Sequence, residues 1–254
     1  MNLSDETSSK QKITVITAVF NCHQYIEQAI LSVINQSYDD IEYIVIDGGS
    51  TDGTVDIIKK YESHIDYWVS EKDNGVYDAW NKGILLSHGK WISFLGADDI
   101  YLSGAIEEYV LLINKYKNIQ YVSSKIRLIS STGEGLRIIG DKWNWPDFER
   151  HMNIAHVGSL HARSMFDEKG LYNLDFKIAG DYEFLLRFNS SLRTIYLNNI
   201  TVEMRVGGIS DNNAMVFFES AIAKTTHTDR GNLVIYLEAF YSFVKWSIRR
   251  AIRH

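Results

Sequence analysis

The chain of 254 residues is 45% hydrophobic and 23% charged, proportions that exclude wholesale disorder and allow one large domain with a substantial core. Its formal charge of −6 excludes broad nucleic-acid binding, which needs a basic surface to displace counterions from phosphate. The single cysteine, Cys22, excludes an internal disulfide framework and a thiolate zinc cluster and fits the reducing, cytoplasmic side of a membrane.

Residues 1–11 are polar, lack the apolar core of an export signal, and read as a flexible N-terminus. Residues 13–20 are rich in β-branched side chains and predict a buried strand, followed by an amphipathic helix over 23–34. The unit repeats: a strand over 41–46 and a helix over 55–61, a short strand over 67–70 and a helix over 77–87, then a strand over 91–95 and a helix over 103–116. Strands alternating with helices imply a mostly parallel, Rossmann-like sheet with helices on both faces. Beyond residue 119 the pattern weakens to one possible strand over 120–129, a Gly-punctuated turn near 132–135 and an aromatic segment, Trp143-Asn144-Trp145-Pro146. We divide the chain into a nucleotide-sugar half over 12–117, an acceptor-side mixed subdomain over 118–231 and a C-terminal helix over 232–254.

Chemistry concentrates where strands end. Trp91-Ile92-Ser93-Phe94-Leu95-Gly96-Ala97-Asp98-Asp99 runs from an apolar strand into two adjacent carboxylates, which are costly at a buried strand end unless a cation or donors meet them. Hard oxygen ligands suit Mg²⁺ or Mn²⁺, ions that keep positions open for substrate phosphates. The alternative is a plain turn that caps the next helix. After the second strand, Asp47-Gly48-Gly49-Ser50-Thr51-Asp52-Gly53-Thr54 offers glycines for close backbone approach to an anion, with Asp47 as acceptor for a base or ribose. A capped turn reads equally well, and the spacing matches neither the GxGxxG fingerprint nor the P-loop. A third polar cluster, Ser70-Glu71-Lys72-Asp73-Asn74-Gly75-Val76-Tyr77-Asp78-Ala79-Trp80-Asn81-Lys82-Gly83, again follows a strand and opens a helix. In parallel sheets ligands bind at this carboxyl edge.

These three segments, with Gly96-Ala97-Asp98-Asp99, together resemble the GT-A fold family 2 glycosyltransferases over residues 12–187, in the group of small transferases that build bacterial polysaccharides, lipopolysaccharide included, and lipid-linked oligosaccharides. The resemblance implies a nucleotide-diphosphate sugar donor, a UDP-sugar first, with Asp47 and Asp73 at the nucleoside and Asp78 and Lys82 of the same segment at the donor. It makes Asp98-Asp99 the DXD-type element, with Asp99 the more direct ligand of Mn²⁺ or Mg²⁺. It implies an inverting single displacement with Asp181 of Ala179-Gly180-Asp181-Tyr182-Glu183 as general base and Glu183 in reserve; the plain alternative is an N-cap aspartate beside a solvated glutamate. His161, and His156 in the same stretch, stand where relatives carry histidines near diphosphate or metal, though a lone histidine on an apolar run also fits a structural role. Arg205, before Gly207-Gly208-Ile209-Ser210, is a phosphate contact from a closing loop or a solvated arginine. Relatives often carry two acidic residues where this chain has Asp47-Gly48, so one nucleoside contact is missing. Neither the Gln-x-x-Arg-Trp element nor the multiple spans of processive synthases is present, which implies one sugar per encounter.

On residues 232–254, Leu237, Phe240, Tyr241, Val244, Ile248, Ala251 and Ile252 fall on one helical arc, with Lys245, Arg249, Arg250 and Arg253 opposite, beside Trp246. The stretch is too short and interrupted for a span and reads as an in-plane membrane helix that meets a saccharide acceptor on a lipid carrier. Packing on the core or a homo-oligomer contact are the other readings. The expected activity is metal-dependent transfer of a hexosyl or N-acetylhexosaminyl group. A sugar nucleotidyltransferase would need a basic phosphate loop after the first strand, which Phe20-Asn21-Cys22-His23-Gln24 lacks. A noncatalytic nucleotide-sugar-binding protein would have no use for both Asp99 and Asp181.

Overall fold

The computed structural model describes residues 10–208 and 212–252. Most of the expected terminal stretch, residues 1–9, and also Ile209, Ser210, Arg253 and His254 lie outside them.

The strand β1 (Ile13–Val19) is buried along almost its whole length, as a β-branched run flanked on both sides must be. It pairs in parallel with β2 (Ile41–Asp47) and β4 (Trp91–Gly96), and β3 (Tyr67–Ser70) extends the parallel set beyond β2. The order β3-β2-β1-β4 reverses direction between β1 and β4, the point in an open α/β sheet where loops part and a ligand crevice opens. Helices α1 (Ile26–Ile34), α2 (Thr54–Lys60), α3 (Val76–Leu86) and α4 (Ala105–Lys115) return the chain between strands. On α1 the buried set Ile26, Ala29, Ile30 and Val33 follows the i, i+3, i+4, i+7 spacing of one helix face.

That helix starts three residues later than its pattern predicts, because the amides ahead of it are engaged elsewhere. Cys22 N–H donates to Thr54 Oγ1 at 2.9 Å and His23 N–H to Asp52 Oδ2 at 3.0 Å. Hydrogen bonds from Thr54, outweighing a small burial effect, pull the Asp52 carboxyl down to about 2.

The second half turns the sheet mixed. Beyond β4 come the antiparallel β8 (Leu160–Ala162), then β6 (Tyr121–Ile129), β9 (Thr194–Arg205) and the short β5 (Ile100–Tyr101). β7 (Gly135–Ile139) shares with β8 one edge of β6. Only β6 among these has a clear sequence signal. β9 is obscured because Asn198-Asn199 interrupts its alternation, where the pairing with β6 shifts register after Ser124. Helices α5 (Trp145–Phe148), α6 (Arg163–Lys169) and α7 (Gly180–Leu186) pack here, and α8 (Met215–His227) and α9 (Asn232–Ile252) form a C-terminal helical hairpin.

The hairpin corrects one detail of the expected arc. Trp246 points inward with Phe243 toward Phe217, with ring centroids 6.1 and 6.4 Å away, and Ile235 and Ala239 are buried beside Ala221. Leu237, Phe240, Tyr241 and Ile248 remain exposed, together with Lys245, Arg249 and Arg250. No helix among the described residues is long and apolar enough to cross a membrane.

Below the carboxyl edge, α3 lies so close to β1 that a Cβ on Gly83 would stand 2.5 Å from Ile16 Cγ2. Gly83→Ala should therefore lower stability. The helix gains roughly 1 kcal/mol from the better former, but overpacking a side chain as buried as Ile16 costs about 1–3 kcal/mol, and here three Ile16 atoms crowd the new methyl. Urea unfolding should show a lower midpoint; a higher one would contradict this packing.

Candidate active site

Three loops meet at the crevice beside the β1/β4 switch. The loop after β2 is organised by Asp47, fully buried at the strand end. Its Oδ2 accepts from Gly49 N–H (3.0 Å), Ser50 N–H (2.9 Å) and Ser70 Oγ (2.6 Å), and its Oδ1 accepts from Ser50 Oγ. Three of these bonds crowd onto Oδ2 and one reaches Oδ1, so most of the carboxylate's acceptor capacity goes into building the loop. Asp47 thus builds the loop, and the nucleoside contact expected of it would fall to Oδ1 alone, on a fully buried side chain.

Asp73 stands differently. Its Oδ1 accepts from Gly75 N–H at 2.9 Å, and a Cβ on Gly48 would meet its Oδ2 at 2.7 Å. The half-buried Asp73 carboxylate thus fills the space where a second acidic side chain would project from position 48. The departure from the two-acid pattern has a structural answer in the neighbouring loop. Asp78 accepts from Asn74 N–H (2.9 Å) and Asn74 Nδ2 (3.2 Å), closing the loop on itself, and Lys82 is paired with Glu71 at 2.8 Å. Asp78 nonetheless lines the cavity beside Tyr77, whereas Lys82 is turned to Glu71.

The β4 loop brings Asp98 and Asp99 together. A side chain on Gly96 would collide with Asp99 Oδ2 and approach Asp98 Oδ1 to 3.2 Å, so both carboxyls converge over that glycine. Asp99 is 4% exposed, and its side chain accepts from Arg205 N–H at 3.1 Å and from the Gly96 amide. Burial and then the Asp98 charge push the Asp99 carboxyl well above its ordinary range, and burial raises Asp98 as well. A buried carboxylate beside a half-buried one that repels it, met only by backbone amides, is the condition a divalent cation relieves. No third His, Cys, Asp or Glu joins them among the described residues, so the donor set suits an ion whose other ligands are water and phosphate oxygens.

The structure places two expected site residues, His161 for metal or phosphate and Arg205 for phosphate, elsewhere. His161 is fully buried on β8, opposite Ile92. Its ring is surrounded by Phe94, Tyr121, His156, Phe166 and Phe184, and neither ring nitrogen has a side-chain hydrogen-bond partner among the described residues. Burial holds it well below the ordinary histidine range, hence neutral. It is a core ring and faces neither metal nor phosphate. Arg205 ends β9 and is 7% exposed. Its guanidinium donates to the carbonyls of Ser130 and Ser131 (both 3.2 Å) and to Gln28 Oε1 (2.7 Å), and lies 4.3 Å above the Tyr25 ring. It cannot swing to a phosphate without breaking these, and acts on Asp98 and Asp99 only as a fixed positive charge.

Asp181 sits in the first turn of α7. Its Oδ1 accepts from Tyr182 N–H (2.9 Å) and meets the Tyr77 hydroxyl at 3.2 Å, while Oδ2 has no partner among the described residues. Tyr77 shares its single proton with the Ile178 carbonyl at 2.7 Å. This tyrosine went unassigned at the sequence level, although it lies one helical turn after Asp73. Beside the pair opens a cavity of about 170 Å³, lined by Val76, Tyr77, Leu174, Phe176 and Ile178 among others. His156 is near Asp181: its Nε2 bonds the Tyr172 hydroxyl at 3.1 Å, its ring stacks on Trp80, and burial, partly offset by the Asp181 charge, lowers its pKa. Glu183, the reserve base, is ruled out. It is 4% exposed and locked by Arg187 at 2.6 Å and His227 at 2.7 Å.

Asp99→Asn should raise the melting temperature of the cation-free protein at pH 7. The sign follows from the raised pKa: the folded state disfavours the carboxylate, so stability is lost as pH rises from the unfolded value near 3.8 through the higher folded value. The difference between variant and wild type should shrink toward pH 4 in differential scanning fluorimetry, and a variant less stable at pH 7 would contradict the assignment.

The model of glycosyl transferase family 2 matches residues 14–164, ending before the Asp181 segment. A Mycobacterium bovis PGL/p-HBAD biosynthesis glycosyltransferase is 28% identical over 209 residues, 78% of each chain. Among solved structures, Staphylococcus aureus TarS 1–349 in complex with UDP-GlcNAc superposes with TM-score 0.69 at 16% identity, covering 92% of this chain and 72% of that one. The alignment spans 43% of the longer TarS chain. A Pyrobaculum calidifontis mannosyltransferase in complex with GDP-Man and Mn²⁺ gives 0.67 at 15%, covering 92% and 70%. The likeness to these structures fixes the GT-A architecture, and the family match covers β1 to β8 with every crevice loop described above: the chain belongs to glycosyltransferase family 2.

Proposed function

We propose that the protein moves one sugar from a nucleotide-diphosphate sugar, a UDP-sugar first, to a hydroxyl of a saccharide acceptor on a polyprenyl carrier, with inversion at the anomeric carbon, in the building of a bacterial surface polysaccharide. The observation that carries this reading is the convergence of Asp98 and Asp99 at the switch point, two carboxylates whose mutual cost a cation bridging to a diphosphate would relieve. Held there by Asp98 and Asp99, Mn²⁺ or Mg²⁺ would neutralise charge on the departing diphosphate without a proton donor.

The remaining roles fall to the chain itself. Asp73, beside Gly48, offers the acceptor for a donor N–H of the base. Residues 12–117 form the donor half and 118–231 the acceptor half. Asp181 receives the acceptor's proton on its unbonded Oδ2 as the new C–O bond forms and the electron pair of the old one passes to the diphosphate. Tyr77 and Tyr182 N–H hold Oδ1 meanwhile. A positioned carboxylate base contributes on the order of 10²–10⁴-fold. Asp181→Asn should lower transfer by about that factor while donor binding persists. A panel of nucleotide sugars with and without Mn²⁺, read by thermal shift and nucleotide release, identifies the donor; wild-type turnover in the variant would remove Asp181 from the base role.

The exposed stripe Leu237, Phe240, Tyr241 and Ile248, flanked by Lys245, Arg249 and Arg250, supports contact with an anionic membrane at its cytoplasmic face, where a lipid-linked acceptor resides. Because Phe243 and Trp246 pack inward, point changes test this better than truncation. Phe240→Glu with Tyr241→Glu should abolish cosedimentation with phosphatidylglycerol vesicles, and unchanged binding would refute membrane contact.

A further inference from the structure

Helix α8 lies beyond the family match, yet it grips the Asp181 segment at both ends. Glu219, 7% exposed, accepts from three consecutive backbone amides just ahead of α7: Lys177 (3.0 and 3.1 Å), Ile178 (2.8 Å) and Ala179 (2.9 Å). Two turns later His227 Nε2 meets Glu183 Oε1 at 2.7 Å. Arg187 binds the other Glu183 oxygen at 2.6 Å and anchors to the Lys169 and Leu171 carbonyls at 2.9 and 2.8 Å. Residues 219, 223 and 227 share one helix face, and the fully buried Ala223 between the two polar contacts permits close approach to α7.

The Ile178 peptide is thereby held from two sides. Its N–H goes to Glu219 and its carbonyl to Tyr77, the same hydroxyl that touches Asp181. The buried carboxylate of Glu219 satisfies three amides that would otherwise face an apolar interior. Its bonds fix where α7 begins, and so where the first-turn carboxylate points. A shift of about 1 Å in a reacting group is enough to cost on the order of 10²-fold in rate.

We propose that Glu219 and His227 are positioning residues for transfer: α8 is a splint that sets the aim of Asp181 without touching substrate. This rests on the reading of Asp181 as the base, and a mutant cycle separates the two. The readout is UDP release from UDP-hexose or UDP-N-acetylhexosamine with water as acceptor, alongside UDP binding and thermal melting. Glu219→Gln should lower kcat at least tenfold with UDP affinity within twofold of wild type. Added to Asp181→Asn it should slow the enzyme no further, because the group it aims is already disabled. An equal fold-loss in both backgrounds, or folded Glu219→Gln with wild-type kcat, would overturn the proposal. Wild-type turnover in Asp181→Asn alone would instead remove the base reading, and this proposal with it. Should Glu219→Gln fail to fold, His227 carries the test: His227→Ala should lose kcat and His227→Gln, whose amide reaches Glu183 from a similar place, should recover it. Equal rates in those two would also overturn it.

Discussion

A single buried carboxylate at the end of β2 governs how the loops after β2 and β3 are arranged. Asp47 is fully buried, so its charge is tolerable only if donors surround it, and the loop after it is folded to supply them. That requirement turns the amides of Gly49 and Ser50 inward and ties the loop to β3 through Ser70. With β2 and β3 fixed relative to one another, the Asp73 loop comes to rest over Gly48. The side chain that faces the crevice is therefore decided by one that cannot.

Helix α3 carries this order across to the other half. It begins at the Asp73 loop, and Tyr77 and Asn81, one turn apart, each bind backbone of the acceptor half. Tyr77 reaches Ile178, and Asn81 exchanges two 2.9 Å bonds with Tyr172. The Asp73 loop and the Asp181 segment are thus joined by a rigid element eleven residues long. The opposition of Asp98 and Asp99 needs no such scaffold beyond the tight turn at Gly96, since their adjacency in the chain brings them together.

Most of the donor half was legible because its signals are local. β1 to β4 and α1 to α4 follow from apolar periodicity to within one to three residues, and the carboxylate pair follows from its place at the end of an apolar run. What sequence could not separate was which aspartate is exposed to the crevice. Asp47, Asp73 and Asp78 look alike as letters, and only the count of donors around each distinguishes loop-builder from ligand contact. The acceptor half was less legible for another reason. β8 is three residues long, β9 is broken by its paired asparagines, and Glu219 meets its amides from 40 residues away in the chain. His161 misled because burial among rings, invisible in a linear pattern, takes its chemistry away.

The brevity of β8 has a consequence of its own. Three residues join the parallel half to β6, so few amide rungs cross the middle of the sheet. What bridges that seam is a column of rings, Trp80, Phe94, His156, His161 and Phe166, with centroids 4.7 to 6.2 Å apart. The halves are glued by faces and edges more than by backbone, and such contacts have no fixed register. Ring size along the column therefore works as a shim between the parallel half of the sheet and β6, set well behind the loops at the carboxyl edge.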